Sequence, residues 1–146
     1  MNKRKSEAGE KLYQQALRIR EGTARGLWLP KIWTLALRGD PDAMVDLADW
    51  FAGDAHHLGS VADGFSAAGL YRRAYCNGNA RGAHNLAMTY FNRNDLQRYR
   101  HWLRKAGRAG DEPSRCQATR FETRLPHEAA GKIRRRRPEQ KRDKFA

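Results

Sequence analysis

The chain has 146 residues, with 29 Lys and Arg against 16 Asp and Glu, a formal net charge of +13 and a pI near 10.4. That length suits one domain, or one domain with a tail, and 40% hydrophobic residues with a mean hydropathy of −0.91 predict a modest core that part of the chain does not join. No stretch approaches the roughly 18–20 consecutive apolar residues that span a bilayer, so no membrane span is expected.

The basic start, Met1-Asn2-Lys3-Arg4-Lys5, is followed by Ser6-Glu7-Ala8-Gly9-Glu10-Lys11 where a secretion signal would turn apolar. Cys76 and Cys116 stand in no metal or redox spacing. A cytoplasmic protein with reduced thiols is the expectation. The charge is unevenly placed: residues 1–25 are net +4, residues 26–70 net −4, residues 71–110 net +8 and residues 111–146 net +5. A basic balance points to polyanions, whether nucleic acid, an anionic lipid surface or an acidic protein, without choosing among them.

In chain order, the first predicted helix runs from Ser6 to Glu21, with Leu12, Ala16 and Ile19 on one face, and a second segment from Trp28 to Arg38. Gly39 then closes a helix in the left-handed conformation, Asp40 caps the next and Pro41 suits its first turn. That helix carries Ala43, Leu47 and Phe51 on one face. After an expected loop from Gly53 to Ala62, a stripe of Phe65, Ala68, Tyr71 and Tyr75 marks another helix, ended by Gly78-Asn79. Ala83, Ala87 and Phe91, beside Leu86 and Tyr90, mark the next; Tyr99, Trp102, Leu103 and Ala106 mark the one after, ended by Gly110-Asp111. A last helix follows Pro113, with Cys116, Ala118 and Phe121. No strand-like alternation occurs, so the fold class is all-α.

Two offsets organise these elements. Gly39 to Phe51 aligns with Gly78 to Tyr90 at a shift of 39, and Leu70-Tyr71-Arg72-Arg73-Ala74 aligns with Trp102-Leu103-Arg104-Lys105-Ala106 at a shift of 32. The repeating unit is a helix–turn–helix hairpin that stacks on its neighbours. Residues Ala67-Ala68-Gly69-Leu70-Tyr71-Arg72-Arg73-Ala74-Tyr75-Cys76-Asn77-Gly78-Asn79-Ala80-Arg81-Gly82-Ala83-His84-Asn85-Leu86-Ala87-Met88-Thr89-Tyr90 resemble the Sel-one-like repeats, relatives of the tetratricopeptide repeats. That family's pattern is roughly A-x-x-W-Y-R-K-A-A-x-x-G-[ND]-A-x-A-Q-x-N-L-G-x-M-Y. The chain departs from it at Leu70 (Trp), His84 (Gln) and Ala87 (Gly), and His101-Trp102 restores the Trp in the next copy. The likeness spans about residues 39–113, with weaker echoes at 28–38 and 114–122.

The resemblance implies a short right-handed α/α solenoid that serves as a protein-interaction scaffold or adaptor. It also brings the alternative of a bacterial immunity-type or regulatory inhibitor that occludes a toxin or enzyme. The expected organisation is an N-terminal capping helix over 1–26, the repeat solenoid with its C-terminal cap over 27–125, and a basic tail without a fixed fold over 126–146. If first helices line the inner surface, as in the family, Asp42, Asp46 and Asp49 share one outward stripe, matched by Arg81, Asn85 and Met88 and then by Pro113, Gln117 and Arg120. This predicts a partner-binding groove graded from acidic to basic, the aspartates lying against something basic: a partner or the chain's own tail.

The second helices and the tail supply Arg72, Arg73, Arg98, Arg104, Lys105 and Arg108 and then Arg134, Arg135, Arg136 and Arg137, a candidate polyanion or nucleic-acid surface. His56 and His57, beside Asp54 and Asp63, are adjacent loop residues that project apart and suit no metal. His84 is expected to make the hydrogen bonds of the glutamine it replaces. No nucleophile elbow, phosphate-cradling glycine loop or His-Glu-x-x-His motif is present. A non-enzyme without cofactor is expected.

Overall fold

The computed structural model describes residues 6–53 and 58–124, all of whose regular structure is helical. Seven helices follow in order: α1 (Glu7–Arg20), α2 (Trp28–Leu37), α3 (Pro41–Gly53), α4 (Ala67–Cys76), α5 (Ala80–Asn92), α6 (Leu96–Arg108) and α7 (Glu112–Arg124). The expected tail at 126–146 and the pair His56 and His57 lie outside the described residues. Phe65 falls before α4 rather than within it, and is exposed. Ser66 is the true N-cap, its hydroxyl accepting from the Gly69 amide at 3.1 Å.

One turn recurs with little variation. After α2, the Gly39 amide donates to the Ala36 carbonyl and the Asp40 amide to the Leu35 carbonyl. The same pair of bonds closes α1 at Gly22 and Thr23, α4 at Gly78 and Asn79, α5 at Asn94 and Asp95, and α6 at Gly110 and Asp111. This is a Schellman closure, whose pivot residue must be left-handed; the five pivots have φ between 57° and 100°. In four of the five, the residue after the pivot also caps the next helix. Asp40 Oδ1 accepts from the amides of Asp42 and Ala43, Asn79 Oδ1 from Arg81, Asp95 Oδ1 from Arg98, and Asp111 Oδ2 from Ser114. One short dipeptide thus ends one helix and starts another, satisfying orphan groups on both.

The chain divides into two compact units, with the boundary between Gly82 and Ala83 inside α5. In the first, α1 packs on α2, α2 on α3 and α3 on α4. Its core is made by Ala16, Ile32, Leu35, Ala36, Ala43, Met44, Val45, Leu47, Leu70 and Ala74. In the second, α6 packs on α7, and the core comprises Ala83, Leu86, Ala87, Tyr90, Tyr99, Trp102, Leu103 and Ala106.

Matched positions one turn into α3, α5 and α7 are Ala43, Gly82 and Ser114, and all three are buried. A Cβ on Gly82 would overlap the Tyr71 carbonyl oxygen, so the backbone of α4 approaches there as only glycine allows. In α7 the sequence pattern pointed to Cys116 as a core residue; Cys116 is exposed and Ser114 takes the buried place.

Candidate functional site

The acidic stripe of α3 belongs to the first unit, and its geometry corrects the expectation of an outward face. Asp46 is buried. The Tyr13 hydroxyl, arriving from α1, donates to its Oδ2 at 2.6 Å, and Arg20 Nη1 lies 3.9 Å from its Oδ1. Asp49 Oδ1 accepts from the Tyr71 hydroxyl of α4 at 2.5 Å, and its Oδ2 is 3.8 Å from Arg81 Nη2. Asp42 Oδ1 accepts from the Asn79 side-chain amide at 2.8 Å.

Three aspartates on one helix face repel each other in isolation; here each has a donor from another element of the same unit. A hydroxyl or amide bonded to a carboxylate is a charge-assisted contact, stronger than a neutral one. The basic body expected against the stripe is supplied in part by Arg20 and Arg81. The outward reading therefore holds for Asp49, whose side chain is 43% exposed, and fails for Asp46 at 7%. Burial first, and the bond to Asp46 second, hold the Tyr13 phenol well above the usual tyrosine range.

In the second unit, His84 Nδ1 lies 2.7 Å from the buried Ser114 hydroxyl and 3.5 Å from Asp111 Oδ2. A ring nitrogen on α5 thus engages the first turn of α7. Asn85, Met88 and Gln117 are half-buried and Arg120 is exposed. An aromatic chain joins three elements of this unit: Phe91 and Tyr99 have ring centroids 5.0 Å apart, as do Tyr99 and Phe121. Burial also raises the pKa of the Tyr99 phenol.

The basic residues separate into two kinds. Arg73 does not stand free on an outer face: its Nη1 donates to the Gly64 carbonyl at 3.1 Å and its guanidinium lies 5.1 Å from the Phe65 ring, which ties down the loop before α4. Lys105 Nζ sits 4.7 Å from the Trp102 centroid, and Arg98 pairs with Asp95 at 2.6 Å while reaching over Tyr90. Arg72 and Arg108 are exposed, and Arg104 is half-buried. Arg134 to Arg137 lie outside the described residues.

Asp63, the described member of the loop cluster, accepts from the Phe65 amide as an ordinary turn residue. Among the described residues no group of His, Cys, Asp or Glu could hold a metal ion, and no helix is long and apolar enough to cross a membrane.

Sequence reasoning missed the residues that settle the acidic stripe. Tyr13 and Tyr71 lie 33 and 22 positions from their aspartates, and nothing local marks them. The turn at Asn94-Asp95 was missed as well; its signal is that asparagine is the other residue that takes the left-handed position readily. No family model, curated protein or solved structure gives a significant match to this chain.

Proposed function

We propose that the chain is a short right-handed α/α solenoid of Sel-one-like repeats that binds a partner protein and does no chemistry of its own. The observation that carries this reading is the way the odd-numbered helices bond to one another. Tyr13 of α1 reaches Asp46 of α3; Asn79 and Arg81, at the start of α5, reach Asp42 and Asp49 of α3; His84 of α5 reaches Ser114 at the start of α7. First helices bonding to first helices, with the same two-residue turn between α2 and α3, α4 and α5, α5 and α6, and α6 and α7, is the construction of a repeat array, in which neighbours supply the stability and an outward row is left for binding.

The binding row in this reading is the outward side of the odd helices: Asp49 and Arg81 in the first unit, and Asn85, Met88, Gln117 and Arg120 in the second. Recognition rests on shape and on opposite charges facing across the contact, which steer the encounter and reject wrong partners. A cytoplasmic setting and a bacterial source belong to the same reading.

The test is affinity purification of the full chain from a nuclease-treated extract, alongside the double variant Met88→Glu, Arg120→Glu. A protein recovered in a fixed ratio with the wild type and lost with the variant supports the proposal. Equal recovery by both, or recovery of no protein, refutes it.

A further inference from the structure

Helix α2, in the first unit, is apolar on both of its sides. Ile32, Leu35 and Ala36 are buried where it packs on its neighbours α1 and α3. The opposite side carries Pro30, Trp33, Thr34 and Leu37 within an arc of about 100°, with Leu27 at its N-terminal end. Leu27 is 74% exposed, Leu37 58% and Trp33 36%, the last resting edge-on against Phe51 of α3. Three of the five exposed large apolar side chains among the described residues thus stand on one short element. The Thr34 hydroxyl on that side donates to the Pro30 carbonyl of its own helix at 2.8 Å, so its proton is spent internally. Along the adjoining edge lie Lys31 and Arg38, and the exposed Arg25 precedes the helix. No acidic residue occurs from residue 22 to residue 39, and the next, Asp40, is buried as the cap of α3.

From this juxtaposition we infer that the outer face of α2 docks on an anionic lipid surface. Leu27, Trp33 and Leu37 enter the boundary between headgroups and acyl chains, and Arg25, Lys31 and Arg38 meet the lipid phosphates. A helix about 15 Å long lies in the plane of such a boundary, held by buried apolar area together with attraction to anionic lipid. A hydrocarbon boundary asks for no hydrogen bonds from the face that enters it, whereas a protein interface carries about one per 100–200 Å². The remaining side-chain donor on this face is the Trp33 indole N–H, a group that sits at headgroup level. A second copy docking face to face would bring the same cations and no acid to pair with them, and Arg134 to Arg137 would add like charge. The face belongs to α2 and not to the outward row of the odd helices, so the inference does not rest on the partner-protein reading.

The experiment is co-sedimentation of the full chain with vesicles of phosphatidylcholine containing about 30% phosphatidylglycerol, at about 100 mM salt, against vesicles of phosphatidylcholine alone. The wild type should partition onto the anionic vesicles at least about tenfold more strongly than onto the neutral ones. Leu27→Gln and Leu37→Gln together should lower that partition at least about tenfold, because both side chains are lost from the lipid boundary. Lys31→Gln with Arg38→Gln should lower it about tenfold on anionic vesicles. When the acyl chains are brominated, the tryptophan emission of the wild type should be quenched, and the quenching should largely vanish in Trp33→Phe.

Wild-type partition in the leucine double variant at unchanged helicity would overturn the inference, since adsorption through the basic C-terminal residues alone gives that result. So would binding that disappears entirely when Arg134 to Arg137 alone are neutralised, or quenching that survives Trp33→Phe. Absence of wild-type partition would overturn it equally. A co-purifying protein that the leucine variant then loses would assign the face to a protein partner instead.

Discussion

Helices α3 and α6 carry the same kind of sequence feature and use it in opposite ways. Each has three like charges on one face, aspartates in α3 and arginines in α6. In α3 the middle aspartate is buried under Tyr13 and all three accept hydrogen bonds from other elements, so the stripe is a joint. In α6 the arginines lie away from the side made of Tyr99, Trp102, Leu103 and Ala106, with Arg108 exposed and Arg100 and Arg104 half-buried. A charge run has no fixed meaning: what decides is whether a neighbouring helix brings donors to it.

The two regions should respond differently to substitution. The heaviest effect is expected where the first unit's helices meet. Gly82→Ala pushes a methyl into the Tyr71 carbonyl and should cost about 2–3 kcal/mol by urea unfolding. Gly107→Ala in α6, where the nearest atom is Arg115 Cα at 3.1 Å, should cost about 1 kcal/mol. Equal costs at the two glycines would mean that the closer backbone approach is not confined to the first unit.

Next comes the joint itself. Tyr13→Phe leaves the buried Asp46 carboxylate without its shortest donor and should destabilise by about 1.5–3 kcal/mol. Tyr71→Phe removes a bond of similar length to a carboxylate that water reaches, and should cost under about 1 kcal/mol. If the order were reversed, Asp49 rather than Asp46 would be the pivot of the first unit.

A pH titration sharpens the same point. The folded chain holds the Tyr13 proton above the ordinary tyrosine value of 10.0, so its contribution is complete below pH 10. Beyond that the unfolded chain releases the proton first, and stability falls as pH rises. Tyr13→Phe should flatten the fall, as followed by thermal unfolding between pH 9 and 11. A fall of unchanged steepness would remove Tyr13 from the account. Smallest of all, Arg108→Gln on the exposed side of α6 should alter stability by less than about 0.5 kcal/mol by the same urea assay. A larger loss would make that stripe a joint too.

Most of the fold was legible because helix ends are written locally. Gly39-Asp40, Gly78-Asn79 and Gly110-Asp111 each specify a left-handed pivot followed by a cap, and the helices begin and end within a residue or two of where those dipeptides place them. The apolar faces of α3 and α6 were legible for the same reason, through their period. Phe65, Phe91 and Cys116 were misplaced because a period says which residues share a side and not how far the neighbour's cover extends: the first two are exposed at 46% and 51%. The fate of Asp42, Asp46 and Asp49 was illegible, since it depends on Tyr13, Tyr71 and Asn79 arriving from other helices. Arg73 was misassigned likewise, its partner being the carbonyl of Gly64 in a loop.

The claim that the odd helices form the partner-binding row is tested most directly by site-specific photo-cross-linking of the full chain. A photoreactive phenylalanine is placed at Met88 on α5 or at the exposed Cys76 at the end of α4, and irradiated in a nuclease-treated extract. The account predicts a discrete protein adduct from position 88 and none from position 76. An adduct from position 76 alone, or none from either, would contradict it.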